Sequence, residues 1–134
     1  WYMMKIRIIS SREEINSIRP NEKAVHLAFR ASNVDFLNLL QKAPRLQMIQ
    51  VPPSYMRTLS KSIEAFLGIQ GVKLLQGDVW GHRKDLDEYF TIEDVIIREI
   101  RSLADNGAVI DNVAQKARIS QELAKYIAET RITA

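Results

Sequence analysis

The residues best suited to chemistry lie in one nine-residue stretch, GDVWGHRKD, running from Gly77 to Asp85. It follows an apolar run that reads as a strand, and its two glycines, indole, imidazole and four charges are poor fillers of strands or helices. A histidine near a carboxylate titrates close to neutrality, as general acid or base catalysis requires, so His82 with Asp78 is the acid/base pair on offer. Trp80 suits stacking on a base, while Arg83 and Lys84 suit phosphate or carboxylate. No serine sits in a nucleophile elbow, no glycine-rich phosphate loop is present, and the two histidines lack metal-ligand spacing. The 134-residue chain has no cysteine, which excludes a disulfide framework and a thiolate metal site. No metal centre or cofactor is therefore expected, and whether any reaction is catalysed stays open.

The elements that would position this stretch are read from hydrophobic periodicity. Four short apolar runs, residues 5–10, 24–29, 46–51 and 72–77, alternate with helix-length segments, the pattern of βαβ units and a parallel sheet. Ser11 with Glu14 has capping-box spacing, and Pro20 stops that short helix. Ser32 with Asp35 opens a second helix that buries Phe36, Leu39 and Leu40 and ends before Pro44. A third starts near Ser54 or Arg57 and is closed by Gly68. In the first two strands one parity is apolar (Ile6 and Ile8; Val25, Leu27 and Phe29) and the other mixed (Lys5 and Arg7; Ala24 and His26). The first strand is accordingly expected at or near an edge, with helices mostly on one face of the sheet. Strand orders 1-2-3-4 and 2-1-3-4 both fit.

From Thr91 onward the pattern is helical. Thr91 with Asp94 predicts a helix ending near Asn106 and Gly107, Asp111 caps a short second helix, and Ser120 caps a third. Residues 113–127, VAQKARISQELAKYI, have the spacing of a helix-turn-helix. The expected fold is thus α/β: a small four-stranded parallel sheet (βαβαβαβ) in residues 3–90, with an all-helical, helix-turn-helix-like module in 91–134. Trp1 and Tyr2 precede two methionines and are left out of this reading.

The charge is unevenly divided. Residues 1–90 carry 13 Lys and Arg against 9 Asp and Glu, whereas residues 91–134 carry 6 against 7. A polyanion would meet the first part, and DNA affinity, which comes mainly from neutralising phosphates, is disfavoured for the second. No apolar run approaches the ~20 residues that span a bilayer, nor does the N-terminus have a secretory pattern, so a cytoplasmic protein is expected.

With these residues laid out, VHLAFRASN (25–33), SYMRTLSKSIEAFL (54–67) and GDVWGHRKDLDEYF (77–90) together resemble a family of small uncharacterised archaeal proteins, mainly of methanogens. The resemblance spans most of residues 4–130. It implies an archaeal, cytoplasmic setting and brings no reaction with it.

If the sheet is parallel, the carboxyl ends of its strands share one edge. That edge would collect Ser11 and Arg12, Arg30 and Ser32, Ser54 and Tyr55, and Asp78, Trp80, His82, Arg83 and Lys84, beside helix N-termini that favour anions. The expected function is a small ligand-binding protein for an anionic ligand such as a nucleotide, phosphorylated metabolite or RNA segment. The alternatives are a DNA-binding transcriptional regulator using the C-terminal helices and a small enzyme using His82 and Asp78. A homodimer fits as well as a monomer.

Overall fold

The computed structural model describes residues 4–79 and 88–130. Four strands, β1 (Met4–Ile9), β2 (Ala24–Leu27), β3 (Met48–Val51) and β4 (Lys73–Gln76), correspond to the four apolar runs. Between them lie a 3-10 helix (Arg12–Ser17), α1 (Asn33–Lys42), and the pair α2 (Pro53–Met56) and α3 (Lys61–Ile69). A fifth strand, β5 (Tyr89–Ile92), precedes α4 (Asp94–Asp105), α5 (Asp111–Ala117) and α6 (Gln121–Glu129).

Local signals account for most boundaries. Ser32 and Asp35 form a reciprocal capping box at α1, the Asp35 amide bonding the Ser32 hydroxyl at 3.3 Å and the Ser32 amide bonding the Asp35 carboxylate at 2.8 Å. Ser60 rather than Ser54 or Arg57 caps α3, its hydroxyl accepting from the Ile63 amide at 3.1 Å. The expected third helix is split because Pro53 starts a one-turn helix and Ser60 starts another. Ser120 caps α6 through the Leu123 amide at 3.1 Å. Arg118 turns the chain between α5 and α6 in a left-handed conformation, φ 59° and ψ 42°.

The strand order is β4-β3-β2-β1-β5, with the first four strands parallel and β5 antiparallel to β1. The sheet is therefore five-stranded and mostly parallel, not a purely parallel four-stranded one. Thr91, expected to cap a helix, pairs with Lys5 inside β5, and Glu93 is the N-cap of α4. The physical reason is the run Tyr-Phe-Thr-Ile, whose aromatic and β-branched side chains favour a pleated surface over a helical turn.

Register corrects the expected layering. Arg7 pairs with Val25 and Ile8 with His26. Paired residues of parallel strands share a face, so the apolar sets of β1 and β2 lie on opposite faces and both faces need cover. On one face Val25, Leu27, Ile49 and Val51 pack with Ile15, Phe36, Leu39, Ile63 and Leu67 of the three crossover segments. On the other, Met4, Ile6, Met48, Leu75 and Ile92 pack with Ile97, Ile100, Leu123 and Ile127 of the C-terminal helices. Helices are thus not confined to one face. The second core joins residues from Met4 to Ile127 in one contiguous cluster. No helix among the described residues is long and apolar enough to cross a membrane.

Candidate functional site

A progressive strand order has no topological switch point, because all three parallel crossovers pack on the same face. The crevice that such a reversal opens in doubly wound sheets is therefore missing. The carboxyl edge gains its concavity differently, from the C-terminal helices on the opposite face. The N-terminus of α6 and the start of α2 flank the ends of β3 and β4, and a cavity of about 310 Å³ lies between them, lined by Pro53, Gly77, Asp78, Ser120, Gln121 and Glu122 together with Gln76. A groove of about 610 Å³ adjoins it through Ser120 and Gln121 and runs along Ala114, Arg118 and Ile119.

The contact that shapes this crevice is unusually close. Gly77 is buried, and a Cβ placed on it would lie 2.4 Å from the Ser120 hydroxyl and 2.9 Å from Gln50 Oε1. Ser120 donates to Gln50 Oε1 at 3.4 Å while Gln50 Nε2 donates to His26 Nδ1 at 2.9 Å. A buried polar chain thus runs from the helix cap through the end of β3 to the middle of the sheet, and it fixes His26 as a structural side chain. Glu122 completes the seam by accepting from the Gln76 amide at 3.0 Å.

The remaining edge residues are stitched to one another. Arg12 bonds Asp35 at 2.8 Å and lies 6.0 Å from the centre of the Phe29 ring, joining the β1 and β2 ends. Arg30 bonds the Thr58 hydroxyl at 2.5 Å and stacks 5.0 Å from the Tyr55 ring centre, joining the β2 and β3 ends. Among the expected site residues, Ser32 is occupied as a helix cap, and Ser11 has its amide on Glu14, 2.8 Å away. Arg12 is neutralised by Asp35, and Ser54 is exposed on α2. Arg30 and Tyr55 meet, while Asp78 lines the cavity. Trp80, His82, Arg83 and Lys84 lie outside the described residues, and with them the His82–Asp78 pair. Among the described residues no group of three or more His, Asp or Glu side chains could hold a metal ion.

Burial would raise the Asp35 carboxyl, but its bonds to Arg12 and Ser32 outweigh that and hold it below the ordinary carboxylate range. A lowered folded-state value means that the contribution is complete above the unfolded value of ~3.9 and is lost as pH falls through the folded one. Urea unfolding should show wild-type stability falling from pH 5 to pH 3. Asp35→Asn should flatten that slope and cost about 1–2 kcal/mol at pH 7, the range for a lost cap. Parallel slopes in the two proteins would remove Asp35 as the source.

Sequence reasoning missed Gln50 and the pairing of Gly77 with Ser120. A signal for the first exists: His26 and Gln50 each occupy the third position of a four-residue strand whose other positions are apolar, and the register places them side by side. The second depends on how the C-terminal helices dock, which no local pattern encodes.

The family comparison bears on the same stretch of chain. A model of a family of unknown function, the DUF1699 N-terminal domain, matches residues 5–88, which is more than half of the chain and includes every residue of the edge except those of α6 and its cap Ser120. The chain belongs to the DUF1699 family. Comparison with curated proteins and with solved structures found no match. The DUF1699 match ends at Glu88, so Ser120, Gln121 and Glu122, which form one wall of the crevice, lie beyond it.

Proposed function

We propose that this DUF1699 member is a cytoplasmic binding protein for a small anionic ligand, taken up at the carboxyl edge of the sheet. The observation that carries this reading is the state of Arg30. Its guanidinium is exposed, makes no ion pair among the described residues, and is held by Tyr55 beneath it and Thr58 beside it. An oriented arginine with donors to spare binds phosphate or carboxylate better than a mobile one, because less side-chain freedom is lost on binding. Arg12 is the poorer candidate, since Asp35, bonded to its Nε, offsets its charge. The resemblance of residues 25–33, 54–67 and 77–90 to archaeal sequences supports an archaeal setting.

A DNA-binding regulator built on α5 and α6 is the weaker reading. One flank of α6 lies along β4, where Glu122 is bonded to Gln76, and the exposed positions Gln121, Glu122, Lys125 and Glu129 carry more acid than base. Such a surface gains little from counterion release.

Calorimetric titration with inorganic phosphate and phenyl phosphate tests the proposal. Arg30→Ala should weaken binding by about 1.5–3 kcal/mol, the range for a hydrogen bond to a charged group. Arg12→Ala should leave affinity nearly unchanged. Absence of binding by the wild type, or equal losses in the two variants, would overturn the assignment.

A further inference from the structure

The edge is electrically divided, and the division says what kind of anion fits. The segments that follow β1 to β3 carry Arg12, Arg30 and Arg57, whereas Asp78 after β4 and Glu122 at the start of α6 line the cavity beside Gln121. A second phosphate or carboxylate placed there would meet two like charges, while hydroxyl and amino groups would find acceptors. The β2 and β4 ends stand two strand spacings apart, about 10 Å, roughly the length of a sugar phosphate carrying a base. The cavity of about 310 Å³ stands at the lower end of the range for small-molecule sites. We infer that the ligand is a phosphate ester whose organic half carries hydroxyl or amino donors, as in a nucleoside 5′-phosphate, with its phosphate at Arg30 and its donors at Asp78 and Gln121. This rests on the anion-binding reading of Arg30 and adds the chemistry of the other half of the ligand.

Seven probes separate the two claims when titrated calorimetrically into the full chain: inorganic phosphate, phenyl phosphate, ribose 5-phosphate and the four nucleoside 5′-monophosphates. At least one hydroxylated ester should bind about tenfold or more tightly than phenyl phosphate. Asp78→Asn and Gln121→Ala should each erase most of that advantage while leaving phenyl phosphate affinity unchanged, and Arg30→Ala should weaken all of the esters together. A 5′-phosphorylated hexaribonucleotide distinguishes the source: binding equal to the mononucleotide assigns a free metabolite, and much tighter binding assigns an RNA end. If phenyl phosphate binds as well as every hydroxylated ester, the inference fails and the anion site stands. If nothing binds, both fail.

Discussion

Replacing Gly77 with alanine is expected to destabilise the protein by about 1–3 kcal/mol, the usual cost of forcing extra volume into a packed site. The cause is space alone. The new methyl would stand 2.4 Å from the Ser120 hydroxyl and 2.5 Å from Ser120 Cβ, and no rotation of the serine side chain moves its Cβ. Relief requires α6 to slide away from β4, which stretches the bond that Ser120 donates to Gln50 and the bond that Glu122 accepts from the Gln76 amide. Ser120→Gly should therefore be less harmful in the Gly77→Ala background than alone, because it removes the obstructing atoms while giving up the cap. Chemical denaturation of the wild type, both single variants and the double variant measures that coupling. Additive losses would mean that the two residues do not press on each other.

The C-terminal helices should be inseparable from the sheet in stability. Deleting residues 108–134 removes Leu123, Ala124 and Ile127 from the face of Met4, Ile6, Met48 and Leu75 and leaves only α4 to cover it. Total stability of a domain is only ~5–15 kcal/mol, and losing several buried aliphatic side chains consumes most of it. The truncated chain is expected to lose cooperative thermal unfolding or to self-associate through the exposed face. The full-length variant Leu123→Ala supplies a graded version, with an expected loss of about 2–5 kcal/mol and one transition seen by both fluorescence and circular dichroism. A truncated monomer with an unchanged melting temperature would show that α5 and α6 are accessory.

The parallel core was legible because each of its strands is a compact apolar run bounded by a serine, proline or glycine signal, and local chemistry fixes such units. Layering was not legible. The parities of β1 and β2 align only once Arg7 is known to face the same way as Val25, and that register is a long-range fact. β5 escaped because Thr91 and Asp94 mimic a capping box, while its strand character depends on the partner supplied by β1. At the edge, residue type pointed to Arg30, Tyr55 and Asp78, but it could not tell an arginine paired with a carboxylate from one bonded to a hydroxyl. Arg12 and Arg30 look alike in sequence, and only the packing of Asp35 beside Arg12 separates them.

The bond that the Gln76 amide donates to Glu122 has a consequence for behaviour at high concentration. β4 closes one side of the sheet, and its Lys73 and Gly77 amides point inward to β3, so those of Leu74 and Gln76 face outward. An open row of that kind is a template on which a second chain can lay a strand and begin a fibrillar stack. Glu122 occupies one of the two donors and places a carboxylate in the path of any incoming backbone carbonyl. The same side chain that lines the cavity beside Gly77 thus also stands as a gatekeeper against edge-to-edge polymerisation.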